Sequence, residues 1–523
     1  MGSQSGIVSQ VREAELDWQI CSRARLSRDP RFDGKFFIGV HGSGVYCRPI
    51  CPAPTAKEKN CRYFTTAAAA AEAGYRPCLR CRPECAPGTP AWLGTSATIA
   101  RALRLIEERG LDDDGIEGLA DRLGVGSRHL RRLFLRHLGA PPLTVAQTRR
   151  VHFAKKLIDE TNLSMTQIAI AAGYGSVRRF NAAIAKIYHR TPTQIRANAR
   201  AQKSLPQNEY RFVLRFRPPF DWKGTLAILK AASTPGVEAV DDYTYRRTIL
   251  VQGQHGHVHV SLDETQPALR ARIHFGEPRA LFHIVERIRR IFDLNADWAS
   301  VVQTLGPDPL FADRLKEAPG LRVPGCWDGF ELAVRALLTR RVETSGARDL
   351  AGRLVQAFGR TISAEEGLTH LFPTPQALVG ANLIGIGISE PRARAVRALA
   401  SAAAGSRIGF EGMADSEAFL SQLRAITGMD EYTAQYIAMR ALGEPDAFPA
   451  DERALPAGLH CAAALKERAE QWRPWRAYAA VCLATGSIRD SPTEGRDQAS
   501  LRPSRDDRET GLHVSPTISV LNL

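Results

Sequence analysis

Residues 44–85 read GVYCRPICPAPTAKEKNCRYFTTAAAAAEAGYRPCLRCRPEC, which places Cys47 and Cys51 with three residues between them and Cys78 and Cys81 with two. Two close cysteine pairs separated by a loop read as a zinc site. Zn2+ favours four soft ligands in a tetrahedron, and a pair at this spacing supplies two thiolates from one turn without straining the backbone. Metal binding would also fold the loop. Cys61 and Cys85 are rival fourth ligands by spacing, Cys85 the closer of the two. Arg48, Arg76, Arg80 and Arg82 crowd the cysteines, and the expectation is that they help hold phosphate.

The surrounding chain fits a reduced, DNA-facing protein. Its 523 residues allow about three to four domains, and a net charge of +15 points to a polyanionic partner. Seven of the ten cysteines precede residue 86, which suits a metal cluster in a reducing compartment better than a disulfide framework. No charged-apolar-small leader and no apolar run of bilayer length is present, so a cytoplasmic location without membrane contact is expected.

Between Ile99 and Arg200, 18 Lys and Arg face 9 Asp and Glu, a net +9 of the chain's +15. Ser164-Met165-Thr166-Gln167 is a capping box opening a helix, Gly173 closes it, and Ser176 starts another with Phe180, Ile184 and Ile187 on one face. An earlier copy runs from Ile116 through the turn Gly124-Val125-Gly126-Ser127 into a helix whose Leu130, Leu133 and Phe134 face inward. Helix, turn, helix, twice in about a hundred residues, reads as paired DNA-reading motifs.

From Tyr210 the pattern becomes strand-like, with YRFVLRFRP, a helical stretch near Leu226 to Ala232, and TILVQGQHGHVHVSL, where Gly253 to Gly256 is expected to turn between two period-2 runs. A helix near Leu281 to Phe292 follows. His255, His257 and His259 alternate on this hairpin, where a solvated strand face is a better reading than a metal site. From about Gly320 the chain is helical again, including Ile426-Thr427-Gly428-Met429-Asp430-Glu431-Tyr432-Thr433-Ala434, then QYIAMRAL, DAFPADERAL and WRPWRAYAAVCLA. Residues beyond Ser487 lack apolar periodicity and read as disordered.

Several stretches resemble known families. YCRPICP with YRPCLRCRPE resembles the N-terminal zinc domain of the Ada family over about Asp17 to Glu84. The resemblance implies zinc held by Cys47, Cys51, Cys78 and Cys81, with Cys47 accepting a methyl group from DNA methylphosphotriesters. IAIAAGYGSVRRFNAAIAKIYHRTPTQIR resembles the AraC-type DNA-binding domain, which makes Arg128, His129, Arg131, Arg132, Arg178 and Arg179 candidate DNA contacts. Tyr210 to Leu483 resembles the helix-hairpin-helix glycosylases of the AlkA type. In that superfamily a glycine hairpin points N–H groups at a phosphate, and an aspartate after the second helix assists departure of a flipped base.

This copy departs from the glycosylase pattern at several places. The second hairpin glycine is Asp430, the family's Gly-Gln-Gln reads Thr339-Arg340-Arg341, and Glu452, preceded by Asp451, holds the catalytic aspartate position. Tyr432, where bifunctional members carry lysine, implies hydrolysis without strand cleavage and a wall of the base pocket. No Pro-Cys-His-Arg motif of O6-methylguanine transferases is present.

The expected fold is therefore multidomain. It comprises a small α+β zinc domain (10–90), an all-α double helix-turn-helix (96–200), an α+β, TBP-like subdomain (206–315), an all-α helix-hairpin-helix glycosylase domain (316–486) and a tail (487–523). The expected function is repair of DNA alkylation and its regulation, acting on alkylated double-stranded DNA and a promoter site, with RNA polymerase as a further partner. A methylation-sensing transcription factor with an impaired glycosylase scaffold is the main alternative. A redox-responsive zinc regulator is the other.

Overall fold

The computed structural model describes residues 16–87, 97–107, 115–197, 206–340, 344–364, 367–410, 416–450 and 461–489. The first module is a four-stranded sheet in the order Cys61–Phe64, Phe37–Val40, Val45–Cys47, Arg76–Pro77, flanked by the helices Trp18–Leu26 and Ala67–Glu72. The last strand pair is parallel, with Val45 opposite Arg76 and Tyr46 opposite Pro77. Residues Ala68 to Ala70 are small enough for the short helix to lie against this sheet, burying Phe37, Tyr46 and Phe64.

The basic region forms two helix-turn-helix units. Gly115–Arg122 with Ser127–Leu138 makes the first, Met165–Ala171 with Val177–Tyr188 the second, and the helix Pro142–Glu160 joins them. The capping box at Ser164 is present, and Ser176 caps the second recognition helix through the Arg179 N–H. Leu130, Phe134, Phe180 and Ile184 are fully buried as the periodicity requires, and Leu133 and Ile187 are partly so.

Next comes a five-stranded antiparallel sheet, in the order Glu209–Arg215, Ala268–Phe275, Gln254–Asp263, Thr244–Val251, Glu238–Val240, with the helix Trp222–Ala231 connecting its two edge strands. The hairpin turn is Gln252-Gly253, both with positive φ, as a two-residue turn between right-twisted strands demands. Gly256 is a strand residue, not part of the turn. A Cβ there would lie 2.2 Å from the His274 carbonyl oxygen, so close strand approach is what requires glycine. His257 stacks on His274 at 5.0 Å, and the histidines lie on the strand face as expected.

The remaining described residues are mostly helical, packed around Gly329–Thr339, a helix buried from Gly329 to Leu338. Its charged Glu331 and Arg335 are tolerated because they pair with the sheet subdomain: Arg247 to Glu331 at 2.7 Å and Arg335 to Glu238 at 2.5 Å. Breaking such a pair leaves an uncompensated buried charge, at a cost of about 3–5 kcal/mol. The final helix, Arg476–Arg489, runs past the tail boundary read at 487, with Ala477 to Ala484 buried in the core. The tail from 490 lies outside the described residues. Among the described residues no helix is long and apolar enough to cross a membrane.

The zinc module is docked on the joining helix through polar groups buried between them. Tyr46 Oη and His152 Nε2 are 2.7 Å apart, and Lys155 and Arg82 approach the fully enclosed Glu84 at 3.4 and 3.2 Å. Burial pushes the Glu84 carboxyl up, but Lys155, Arg82 and His152 together hold it below its ordinary value. Burial also drives the His152 imidazole down to about 4, Lys155 adding to the effect and Glu84 opposing it. Because this folded value lies below the unfolded one, the unfolded chain binds the extra proton between them. Stability is then fully present above about pH 6.5 and is lost as pH falls towards 4. Between pH 7 and 5 the loss from His152 amounts to about 2 kcal/mol. Urea melts at the two pH values are expected to show it, and His152→Gln to remove that component.

Candidate functional site

The parallel pairing of Val45–Cys47 with Arg76–Pro77 ends two adjacent strands at the same level, so Cys47 and Cys78 emerge side by side. Each is followed by a tight turn that brings in its partner: the Cys51 N–H reaches the Arg48 carbonyl at 3.1 Å, and the Arg82 N–H reaches the Cys78 carbonyl at 3.2 Å. The four Sγ atoms lie within 4.8 Å of one another, the one such group of metal-type ligands among the described residues. Tetrahedral Zn–S bonds of about 2.3 Å place sulfurs about 3.8 Å apart, so four soft donors at this spread fit Zn2+. Cys47 and Cys51 are partly exposed, whereas Cys78 and Cys81 are buried. The rivals are elsewhere: Cys61 donates to the Lys57 carbonyl, and the buried Cys85 approaches Glu160 at 4.0 Å.

Two of the nearby arginines do not face a ligand. Arg48 is 2 % exposed, forked onto Asp33 and the Cys81 carbonyl, and its N–H donates to Cys81 Sγ at 3.4 Å. That makes it an outer-shell support for the thiol cluster. Arg82 is drawn into Glu84, Asp159 and Glu160. Of the four, Arg80 is exposed and Arg76 half-exposed. Sequence spacing could not separate these cases, since Asp33, Asp159 and Glu160, which capture Arg48 and Arg82, stand far away in sequence.

Arg128, His129, Arg131 and Arg132 are exposed along the first recognition helix, and Arg178 and Arg179 are exposed in the first turn of the second. The N-terminal part of a recognition helix is the part that reaches base edges. Neither helix has an acidic residue in its first turn.

In the helical domain, Ser416–Arg424 and Glu431–Ala441 flank the hairpin. Gly428 carries the left-handed conformation, φ +85°, and a Cβ there would meet Ala395 Cβ at 2.7 Å. Asp430 is extended, φ −89°, so no left-handed residue is needed at that position; its Oδ1 caps the second helix by accepting from the Thr433 N–H at 2.8 Å. Its charge is met by Arg340, whose Nε donates at 2.9 Å. Burial raises the Asp430 carboxyl, but the Thr433 and Arg340 hydrogen bonds outweigh it and hold it below its ordinary value. The Arg340 Cζ stands over Tyr432, 4.2 Å from the ring centroid. Arg341, Asp451 and Glu452 lie outside the described residues.

Comparison with known proteins agrees with this architecture. The model for the metal-binding domain of Ada matches residues 20–84, that for a helix-turn-helix domain 119–198, and that for the AlkA N-terminal domain 211–328. A probable bifunctional transcriptional activator/DNA repair enzyme AlkA of Mycobacterium tuberculosis is 39 % identical over 483 residues, covering 90 % of this chain and 96 % of its own. DNA-3-methyladenine glycosylase 2 of Escherichia coli is 32 % identical over 275 residues, 51 % of this chain and 94 % of its own. The bifunctional transcriptional activator/DNA repair enzyme Ada of Escherichia coli is 34 % identical over 149 residues, 28 % of this chain and 40 % of its own. With four thiols gathered for a metal, two helix-turn-helix units and a glycosylase-like half in one chain, the protein belongs to the family of bifunctional transcriptional activator/DNA repair enzymes.

Proposed function

We propose that the protein removes methyl groups from DNA phosphotriesters onto Cys47, binds a promoter once methylated, and excises alkylated bases of the 3-methyladenine type. The single observation that carries the first step is the convergence of Cys47, Cys51, Cys78 and Cys81, with Cys47 at the end of its strand. These four residues would hold Zn2+, which keeps a coordinating thiol deprotonated at neutral pH. Cys47 Sγ attacks the methyl carbon, a C–S bond forms as the C–O bond breaks, and the phosphate oxygen keeps the electron pair as an ordinary diester. The thioether formed on Cys47 has no good leaving group to restore the thiolate, so each chain is expected to act once.

The proposed partition is a zinc domain over 10–90, regulator helices over 96–200, an α+β subdomain over 206–315 and a glycosylase domain over 316–486. RNA polymerase is the proposed partner at the promoter, and the cytoplasm the proposed location. Four thiolates around Zn2+ carry a formal minus two, which opposes phosphate; methylating one sulfur removes a unit of it. DNA affinity is therefore expected to rise on methylation, and titrations before and after treatment across a salt series test it. Equal affinity at every salt concentration rejects the charge switch.

The exposed arginines are the proposed DNA contacts. Arg131→Ala and Arg179→Ala are each expected to weaken binding and, where the contact is to phosphate, to lower the slope of log K against log salt by about 1. A contact to a base would instead relax sequence preference at one position.

For the glycosylase half, Gly428 and Asp430 are the proposed phosphate-facing hairpin, Glu452 or Asp451 the carboxylate, and Tyr432 a wall of the base pocket.

A further inference from the structure

The sheet subdomain grips the zinc module at the loop Asp33-Gly34-Lys35. The Asp33 carbonyl accepts from Arg217 Nε at 2.9 Å, and Lys35 Nζ stands 2.6 Å from Asp297 Oδ1. Gly34 between them has φ +75°, and a Cβ there would lie 2.2 Å from the Pro87 carbonyl oxygen and 3.2 Å from Arg217 Nη2. Glycine supplies both the left-handed backbone and the room for the guanidinium. Arg217, just past the strand Glu209–Arg215, is itself fixed. Its Nη1 donates to Asn295 O at 2.7 Å and to Ala296 O at 3.3 Å, and its carbonyl accepts from Arg322 Nη2 at 3.0 Å.

The side chain of Asp33 faces the thiols. Its carboxylate accepts from Arg48 Nε at 2.7 Å and from Arg48 Nη2, while Arg48 Nη1 donates to the Cys81 carbonyl at 3.0 Å and the Arg48 N–H to Cys81 Sγ at 3.4 Å. Asp33, Arg48 and Arg217 are all buried, so water cannot substitute for these partners.

We propose that Arg217 is a positioning residue of the methyl-acceptor centre, holding the Asp33 backbone so that the Asp33 carboxylate orients Arg48 against Cys81. The glycosylase half thereby completes the support of the thiol cluster. This rests on the reading of the four cysteines as a zinc-held methyl acceptor. Asp33 offers its carbonyl to one arginine and its carboxylate to the other, so a shift of the loop moves both contacts together. The planar, rigid donor fork of arginine suits this fixing role, whereas lysine brings one mobile ammonium.

The test uses the full-length protein loaded with Zn2+ or Co2+. Zinc loss to a chromophoric chelator and the Co2+ d–d absorption are compared for the wild type, Arg217→Gln, Arg217→Lys, Arg48→Lys, and Arg48→Lys combined with Arg217→Gln. Methyl uptake and melting temperature are measured alongside. Arg48→Lys is expected to speed zinc loss by about tenfold or more, and Arg217→Gln by about three- to tenfold with altered d–d bands, since groups behind a ligand tune how it holds the metal. Arg217→Lys is expected to recover part of this. Added to Arg48→Lys, Arg217→Gln is expected to change little further, because both act along one chain of bonds. Lys35→Met loosens the same loop without touching Arg217 and decides the matter if Arg217→Gln fails to fold; about threefold faster loss is expected.

Zinc loss within about twofold of the wild type, or effects of Arg48→Lys and Arg217→Gln that multiply in full, overturn the assignment. A lowered melting temperature with unchanged zinc loss and Co2+ spectrum also overturns it, leaving Arg217 as a clamp between modules. If the wild type takes up no methyl group while zinc retention still depends on Arg217, the methyl-acceptor reading fails and the role of Arg217 stands.

Discussion

Incubated with DNA carrying methylphosphotriesters, the protein is expected to gain one methyl group per chain, on Cys47, and Cys47→Ser to gain none. The effect is all or none because the Ada resemblance makes Cys47 the one acceptor; Cys51 is comparably exposed and is the rival that the experiment must exclude. Cys78 and Cys81 are buried, and Cys85 is enclosed, burial pushing its thiol above the ordinary range against the pull of Lys156. Cys61 is also raised, by burial first. Tryptic mass spectrometry of the treated protein reads the position; a methyl on Cys51, Cys78 or Cys85, or on no cysteine, rejects it. Stripping the metal with a chelator is expected to release one Zn2+, abolish methyl uptake and lower the melting temperature, since the ligand loops have no other cross-link. The loss extends to DNA binding, because Tyr46 and Glu84 of the same module hold the helix that joins the two DNA-reading units.

Base excision is expected to depend on one carboxylate after the second hairpin helix. Glu452→Gln is expected to lower 3-methyladenine release by about a hundredfold or more, with Asp451→Asn near wild type. The carboxylate is needed to stabilise the positive charge that develops on the sugar as the base leaves. Glu452 can provide that charge, but its extra methylene would move it by about 1 Å, a displacement that costs about a hundredfold when geometry is fixed elsewhere. The wild type is therefore expected to be slower than relatives with aspartate there. Loss only in Asp451→Asn would move the role to Asp451 and require a shifted loop register. Wild-type rates equal to those of such relatives reject the impairment, and no release at all leaves the half as a scaffold for the regulator. Asp430 is an extended helix cap whose charge Arg340 meets.

Local chemistry was legible in the sequence wherever neighbours in the chain supply it. The spacing of Cys47, Cys51, Cys78 and Cys81, the Ser164 capping box, and the inward periodicity of Leu130, Phe134, Phe180 and Ile184 are all set within a few turns of backbone, and the structure carries them unchanged. The same holds for the left-handed Gly428, which only a residue without Cβ can occupy against Ala395.

What side chains do once paired with distant ones was decided by the tertiary structure. Arg48 and Arg82 read as phosphate ligands until Asp33, Asp159 and Glu160 are brought against them, and desolvated charges take the nearest opposite charge in preference to an absent one. Gly256 read as turn because its neighbours are turn-formers, but the approach of the His274 carbonyl fixes it as strand. Asp430 and Arg340 each looked like a defect in a family pattern. Packing of the helix Gly329–Thr339 against the hairpin joins them into one ion pair over Tyr432, an arrangement that no local pattern encodes because its parts are 90 residues apart.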